Sequence, residues 1–516
     1  MPLLSSMELI VYEEDKPKVL TALKDGHIDY VDLTSWTFVD KFFALLLESG
    51  FFDQVSSTFP EPRKRINIPT SFMLASHILM RLKLEPAYHN YPYLIRSGTI
   101  LGRLKFNTGT ASGKVLDLGK CNGFNNRNKG PRKAPIDQDC LRKYAANIDA
   151  DKLSSWYNQG VTKFLLANGG LDRNGFFVLD STFLEVPNNP NYENSEVILV
   201  DEHNHIVSNH EKLTPTQLKK CRWIRAYKLT YLLHIHPEKS CFLLMGLRLS
   251  NPKAHDSPLG KELVEEFIAY HGLGIIHWLI MDRGYLDGAW IGKLKTENNI
   301  NALIPVRSNM DILKDAIGLS SFKETVWKEY SKEEDDGKVI KRSQVTLIPH
   351  LESWDECPIP LNMILSKEED MEKNKSSYWG LVTPGLLEPT EGRERYALRS
   401  EIEERNKQLK HSWKLTAFTS PDYSLVMTQI VFVAMAFSLV QLYISSKKLQ
   451  NLAHRTMQTW RARELMGVDA VIVYYKNNFA IFDLIDYQTI LLGLKEEPRR
   501  RLYRKSLRLR RRRFPP

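Results

Sequence analysis

The sequence predicts an α/β protein that begins with a helical domain and carries a β-rich insertion. Three observations support this prediction. Apolar residues recur at helical spacing through most of residues 37–168, apolar strands alternate with helices between residues 176 and 306, and a charged stretch with strand-like runs fills residues 308–391. The 516 residues are enough for two to four domains and a large core.

The changes of pattern divide the chain into six segments. We expect a leader with little pattern at 1–35, an α-helical domain at 36–170, the first part of an α/β core at 171–307, a β-rich insertion at 308–391, the second part of the core at 392–455, and a C-terminal extension with an arginine-rich tail at 456–516.

The core segment reads as three strands, a helix, a strand, a helix and a strand. The apolar run Phe176–Leu179 closes on Asp180, and the run 275–281 closes on Asp282. Between them, residues 223–236 and 241–249 form a hairpin around Pro237, and 257–270 is helical. A helix over 287–298 and a short strand over 302–306 complete the series. After the insertion, residues 391–414 and 425–444 are predicted helices.

The basic charge of the chain is concentrated in two places. Residues 499–516 contain nine arginines, one lysine and no acid, which accounts for the whole net charge of +10. Residues 103–133 contain eight lysines or arginines against one acid, Asp117, and are rich in Gly and Asn. Both stretches suit a polyanion such as nucleic acid, although a basic tail can also be a disordered aid to solubility.

Other features of the composition exclude several classes of protein. The most apolar stretch, 425–444, contains Thr428, Gln429, Ser438 and Gln441 and reads as a buried core helix, so no membrane span is expected. The N-terminus lacks the apolar core of a secretion signal. The five cysteines are scattered without a C-x-x-C pair, which suggests neither zinc nor a disulfide framework and fits a cytoplasmic protein. The segment Gly109–Val115 is one residue too short for a phosphate-binding loop and lacks its hydroxyl residue, so ATP use is not expected.

The two acids that end apolar strands are the first chemical signal. Carboxylates rarely sit beside buried strands without a partner or a function. If the two strands are neighbours, Asp180 and Asp282 lie side by side, and their repulsion favours a cation between them. Alternatively, each acid only caps a turn.

The second signal is a polar stripe on the helix over 391–414. Tyr396, Arg399, Glu403 and Lys410 are spaced by 3, 4 and 7 residues, which places them within about 60° on an α-helix. Such a face can be merely solvated. It can also add Glu403 to a three-carboxylate metal site, while the cations and the phenol hold phosphate oxygens.

The strand order and the three acids resemble the RNase H-like catalytic core of DDE transposases. The Tyr396, Arg399, Glu403 and Lys410 spacing resembles the YREK signature of the bacterial insertion-sequence-four family. The motifs Asp180-Ser181-Thr182 and Met281-Asp282-Arg283-Gly284-Tyr285 are similar to the family's first and second acid motifs. The resemblance covers roughly residues 175–450, including a β insertion before the glutamate helix.

The resemblance implies roles for the site residues. Asp180, Asp282 and Glu403 would be the catalytic metal ligands for Mg²⁺, with Mn²⁺ able to substitute. Tyr396, Arg399 and Lys410 would bind DNA. Further expected contacts are Arg283 and Tyr285, which could instead form a structural turn, and Lys228, which could instead be an ordinary strand lysine. His255 would support the site, unless this segment is simply the cap of the following helix.

The implied function is an insertion-sequence transposase that cuts element ends and joins them to target DNA. Its partners would be double-stranded DNA, at terminal inverted repeats and at the target, and a second copy of the chain in a synaptic dimer. It would be a cytoplasmic, nucleoid-associated bacterial protein. Two alternatives remain: a catalytically silent DNA-binding protein derived from such an enzyme, and an RNase H-like endonuclease without strand transfer.

Overall fold

The computed structural model describes residues 8–513, apart from 11–12, 35, 67, 94–114, 118–137, 170, 172–173, 203, 208–210, 212, 336–337, 450–469 and 477. The basic segment 103–133 and the glycine-rich segment 109–115 therefore lie outside the described residues, except for the short strand Val115–Asp117.

The N-terminal part is mostly helical. Its strands are β1 (Glu8–Ile10), β2 (Glu13–Glu14), β3 (Tyr30–Thr34) and β4 (Val115–Asp117), and its helices are α1 (Lys16–Lys24), α2 (Trp36–Glu48), α3 (Phe51–Ser57), α4 (Thr70–Leu82), α5 (Gln138–Ala146), α6 (Ala150–Trp156) and α7 (Thr162–Asn168). A π-helical turn, Tyr157–Val161, joins the last two helices. Asp15 and Asp149 cap α1 and α6 by accepting a backbone N–H in the first turn. Helix α4 is buried from Phe72 to Leu82, including the polar side chains of Ser76, His77 and Arg81.

A mixed sheet forms the centre of the molecule and confirms the predicted α/β class. It contains β5 (Phe176–Val186), β6 (Glu196–Val200), β7 (Arg222–His236), β8 (Cys241–Ser250), β9 (Trp278–Met281) and β10 (Asn301–Pro305), with helices α8 (Pro215–Leu218), α9 (Asp256–His271) and α10 (Gly288–Asn298). The strands β10, β9 and β5 are parallel neighbours, and β7 is antiparallel to β5. Both β6 and β8 pair with β7, along different halves of it. Strand β6 was not predicted.

Side chains cover part of the outer edge of β8. Asn158 binds both backbone groups of Leu247: its Nδ2 donates to the carbonyl oxygen at 3.1 Å, and its Oδ1 accepts from the N–H at 2.9 Å. The Ser438 hydroxyl accepts the N–H of Leu244 at 3.1 Å. These contacts satisfy edge groups that would otherwise be buried unpaired, and they attach the helical domain to the sheet.

The insertion continues the same sheet. It contains α11 (Asp311–Leu319), β11 (Lys328–Asp335), β12 (Lys338–Leu351), β13 (Leu361–Asp370) and β14 (Lys375–Thr383). Strand β14 pairs antiparallel with β10, where Ile304 faces Val382, so the sheet has ten strands among the described residues. The sequence pattern indicated β12, β13 and β14 and missed α11 and β11.

The chain then returns to helix as α12 (Pro389–Ala397), α13 (Arg399–Lys407), a π-helical turn (Gln408–Ser412) and α14 (Tyr423–Ser446). Helix α14 is long and apolar enough to cross a membrane by composition, yet its apolar window is entirely buried within the protein. It packs against β8 on one side and the N-terminal helices α4 and α6 on another. The prediction of a core helix is thus confirmed.

The two ends of the chain form one unit, although the sequence pattern separated them. The C-terminal elements are β15 (Ala470–Tyr475), β16 (Asn478–Asp483), α15 (Leu484–Leu492) and α16 (Glu496–Arg513). They join the leader in a four-stranded sheet of order β2-β16-β15-β3. We call this sheet, with α1, α15 and α16, the terminal unit. Its small core includes Val19, Leu23, Val471, Val473 and Phe482.

Strand β15 connects the terminal unit to the rest of the protein. Because side chains alternate along a strand, Val471 and Val473 face the small core, while Ile472 and Tyr474 belong to the main core. All four side chains are at most 1% exposed. The terminal unit is therefore packed against the body of the molecule on the second face of this strand.

Candidate active site

Two aspartates lie side by side at the ends of adjacent parallel strands. In the register of β5 and β9, Leu179 is opposite Met281, and each is followed directly by an acid, Asp180 or Asp282. The apolar runs that bury these strands place both carboxyl groups at one edge of the sheet. The expectation that the two strands are neighbours is confirmed.

The third acid approaches from helix α13 and is connected to the second by an arginine. Arg399 donates one hydrogen bond to Glu403, at 2.8 Å, and another to Asp282, at 3.2 Å. The first is an i,i+4 pair on the helix, and the second joins the helix to the sheet. The guanidinium thus bridges two of the three predicted catalytic carboxylates.

The remaining acid, Asp180, interacts electrostatically with Arg399 and with the two acids that Arg399 joins. Burial raises the pKa of Asp180 to about 7, with smaller increases from the negative charges of Asp282 and Glu403. The Arg399 charge and the backbone N–H of Ser181 oppose that increase. Three carboxyl groups therefore share one electrostatic environment with a single bridging guanidinium, whose charge opposes the rise in the pKa of Asp180.

The helix that carries the YREK residues is not one regular α-helix. It breaks at Leu398, between Tyr396 and Arg399, and its last turn, Gln408–Ser412, is π-helical. The geometry predicted from 100° per residue is therefore wrong in detail, because a π-turn advances each residue by a smaller angle. Tyr396, Arg399 and Lys410 nevertheless interact electrostatically with the acids.

Tyr396 and Lys410 flank the carboxylates. Burial raises the pKa of the Tyr396 phenol to about 12, and the charges that act on it include Arg399, Asp282 and Arg283. Its ring lies 6.3 Å from that of Trp379, on insertion strand β14. Burial lowers the pKa of the Lys410 ammonium, while the nearby carboxylates of Glu185 and Asp180 raise it. Both residues are thus within electrostatic range of the site.

The turn after β9 contains one exposed and one buried candidate. Arg283 is exposed at the start of the turn, next to Asp282. Tyr285 is only 1% exposed, and its hydroxyl lies 2.8 Å from the Ser181 hydroxyl, beside Asp180. Tyr285 therefore packs beside Asp180, as the alternative of a structural turn implies, and its DNA contact stays a prediction.

Lys228 is also turned inward. It is 5% exposed, its Nζ lies 3.0 Å from Asp256 Oδ1, and it donates to the Ala254 carbonyl oxygen. Lys228 therefore forms an ion pair with Asp256, and its DNA contact stays a prediction. His255 is exposed immediately before α9, where its side chain makes no capping hydrogen bond. Its supporting role stays a prediction.

A cavity of about 270 Å³ opens beside the acids. Its lining includes Asp180, Asp282, Lys228, Asp256 and His205. No sequence pattern predicted that Asp256 and His205 lie at the site. Asp256 offered one signal, since it adjoins the His255 motif, whereas His205 lies in a loop with no periodic pattern.

A second group of residues holds the glutamate helix on the sheet. The Tyr231 hydroxyl, on β7, donates to Asn406 Oδ1 at 2.7 Å and lies 3.3 Å from the Ile402 carbonyl oxygen. The Ser181 hydroxyl also lies 2.9 Å from that of Thr230. No sequence pattern identified these contacts, because each joins residues that are far apart in the chain.

The three acids offer carboxylate oxygens that could bind a divalent cation. Within the described part of the chain, no three acidic, histidine or cysteine side chains are grouped closely enough to hold a metal ion. Asp282 and Glu403 are instead bridged by Arg399. The donor set fits, since Mg²⁺ prefers carboxylate oxygens. Binding requires Arg399 to release at least one carboxylate.

Comparison with known proteins gives one family. Residues 173–439, slightly more than half of the chain, match the family described as "Transposase DDE domain". The matched range contains the mixed sheet, the insertion and the glutamate helix, and so includes all three acids. No curated protein matches the chain.

Proposed function

Because this chain belongs to the transposase DDE domain family, we propose that it is an insertion-sequence transposase that cleaves element ends and transfers the freed strands to target DNA. The observation that carries the proposal is the convergence of Asp180, Asp282 and Glu403 within the matched range. The spacing of Tyr396, Arg399, Glu403 and Lys410 supports placing it in the YREK group of the insertion-sequence-four family.

We assign the three carboxylates as ligands of Mg²⁺, for which Mn²⁺ could substitute. When bound, such an ion supplies activation of a water or 3′-hydroxyl and stabilisation of the leaving oxygen. Asp180 and Asp282 offer rigid oxygens, because each is fixed at the end of a buried strand. Glu403 is more exposed and is carried by a helix that Tyr231 holds to the sheet.

Arg399 is assigned two roles. Without DNA, its guanidinium neutralises Asp282 and Glu403, which limits the repulsion among the three acids. With DNA, the same planar group can release the carboxylates and bind two oxygens of a phosphate. Lys410 and Arg283 add positive charge on either side, and Tyr396 is assigned to orient the terminal strand.

DNA recognition and synapsis complete the proposal. We assign the N-terminal helical domain and the basic segment 103–133 to binding of the inverted repeats, and a dimer to the pairing of two ends. The cleavage of one end by one copy would then occur in a complex with two DNA molecules.

The test is cleavage of a duplex that carries the element's own terminal repeats, with Mg²⁺, by the wild type and by Glu403→Gln. The matched control is Glu404→Gln, which removes the same charge one residue later on α13, from an exposed side chain paired with Lys407. We expect cutting and joining by the wild type and the control, and binding without cutting by Glu403→Gln.

The other outcomes separate the alternatives. Cutting by Glu403→Gln at the wild-type rate refutes the assignment of that acid. Binding without cutting by the wild type favours a silent DNA-binding protein. Cutting without joined products favours an endonuclease without strand transfer.

A further inference from the structure

The C-terminal arginine-rich segment is a continuous helix that begins in a packed unit. Helix α16 spans Glu496–Arg513, 18 residues or about 27 Å at 1.5 Å per residue. Its only acids are Glu496 and Glu497 in the first turn, and ten cations follow them. The tail is therefore not simply a charged chain end attached to the protein.

The first turns of α16 are fixed to the terminal unit. Pro498 packs on Gly26, where an added Cβ would lie 2.7 Å from the proline carbonyl oxygen. Arg499 donates to the carbonyl oxygens of Leu492 and Leu494 at 2.8 and 2.9 Å. Leu502 packs against the small core. These contacts join the helix to both ends of the chain.

The helical spacing separates the charged positions from the anchoring ones. At 100° per residue, positions 500, 501, 504, 505, 508, 511 and 512 fall on one face of about 140°. Leu502 lies outside that face, on the side that packs against the unit, and position 509 falls near it. The helix therefore presents seven of its ten cationic positions on a single side.

We propose that α16 is a rigid DNA-binding helix, which the terminal unit presents to the phosphate backbone of duplex DNA. Phosphate is the partner because arginine matches its oxygens in pairs, and a row of cations about 18 Å long, from position 500 to position 512, can follow several successive phosphates. Contacts of this kind are independent of DNA sequence. This inference rests on the proposed function in one respect, which is the choice of DNA as the polyanion. It does not require that the protein be catalytically active.

The proposed rigidity of α16 is a property that its charge alone does not provide. The helix is attached to a unit whose strand β15 is also part of the main core, so its direction relative to the body is fixed by packing. A preordered helix loses less conformational entropy on binding than a flexible arm of equal charge.

Two full-length variants test the charge and the rigidity separately. The first replaces four arginines of the charged face by glutamine: Arg504, Arg508, Arg511 and Arg512. The second is Ser506→Pro, which keeps every charge and interrupts the helix. The control removes four cations from the insertion, at Lys332, Lys341, Arg342 and Lys367, each of which is paired with a glutamate.

The measurement is fluorescence anisotropy on a duplex unrelated to the element, between 50 and 200 mM salt. Because each neutralised phosphate contributes about 0.9 to the slope of log K against log salt, we expect the loss of four arginines in the first variant to lower the magnitude of the slope by about 3.6. Its affinity should fall at least about tenfold below that of the control. Ser506→Pro should also bind more weakly than the wild type, with an unchanged thermal midpoint.

Equal binding by the first variant and the control would overturn the proposal and leave the tail as an aid to solubility. Wild-type binding by Ser506→Pro would overturn the rigid helix and leave a flexible basic arm. Cleavage by the wild type and by Glu403→Gln is measured in a separate assay. A failure of the α16 proposal in the binding assay is therefore distinguishable from a failure of the proposed catalytic function.

Discussion

Arg393 attaches the insertion to the helix that precedes the active-site arginine, and replacing it should loosen that attachment. Its guanidinium lies between two rings, 4.5 Å from Tyr330 and 4.2 Å from Trp379. It also donates to the hydroxyl of Ser366, at 2.7 Å, and to Glu368, at 3.1 Å. These partners come from β11, β14 and β13, so one side chain on α12 engages three strands of the insertion.

The magnitude follows from these contacts. Each partly buried cation–π contact contributes about 1 kcal/mol, and the hydrogen bond to Ser366 about 1 kcal/mol. The Glu368 side chain is 37% exposed, so solvent screening limits its ion pair to roughly 0.5 kcal/mol. Arg393→Met should therefore destabilise the attachment by about 3 kcal/mol, and Arg393→Lys by about half as much, since lysine lacks the planar stacking group.

Hydrogen exchange of the β13 and β14 amides is the suitable assay, because it reports local opening of the insertion. A loss of about 3 kcal/mol corresponds to exchange roughly 100-fold faster in Arg393→Met, with amides of β7 and β8 much less affected. Wild-type exchange in both variants would refute the reasoning. Equal acceleration throughout the protein would show that Arg393 stabilises the whole fold instead of this attachment.

Three further predictions concern stability. Asn158→Leu leaves the N–H of Leu247 without a partner and its carbonyl oxygen with only the Ser154 hydroxyl, at 3.3 Å, so it should cost about 2 kcal/mol, measured as a lower urea midpoint; an unchanged midpoint contradicts it. Burial lowers the pKa of His77 to about 3, below its unfolded value of 6.5, so its contribution to stability falls as the pH drops below 6.5, by about 1.4 kcal/mol per unit. The stability difference between wild type and His77→Gln should change with that slope between pH 6 and 5, and a constant difference contradicts this. Gly260→Ala places a Cβ 2.4 Å from the Tyr285 ring, so it should cost about 1–3 kcal/mol and slow cleavage; wild-type melting and cleavage contradict this packing.

The acids could be predicted because local patterns report them. An apolar run that ends on Asp180 or Asp282 indicates a buried strand with a carboxylate at its end, and the parallel pairing of those strands then follows from the fold class. The signature spacing likewise identified Glu403 and Arg399. The hydrogen bond from Arg399 to Asp282 could only be anticipated in general terms, because it joins residues 117 positions apart.

Other features depend on tertiary contacts that no local pattern encodes. The break at Leu398 and the π-helical turn at Gln408–Ser412 change the stripe geometry without changing its spacing. The alternating pattern of the strand does not decide whether the Lys228 side chain is exposed or buried. Its inward orientation depends on the ion pair with Asp256. Pairing of β3 with β15 joins sequences more than 430 residues apart, so the leader carried little recognisable pattern by itself.

The pairing of the two chain ends also sets an order of events during synthesis. Strand β3 is made early, whereas its neighbour β15 and the next strand, β16, are made more than 430 residues later. Until residue 483 has emerged, Val19 and Leu23 have no opposing core, whereas the mixed sheet already has all its strands. Translation stopped before β15 would leave the leader's apolar residues uncovered, so only a full-length copy could complete the molecule.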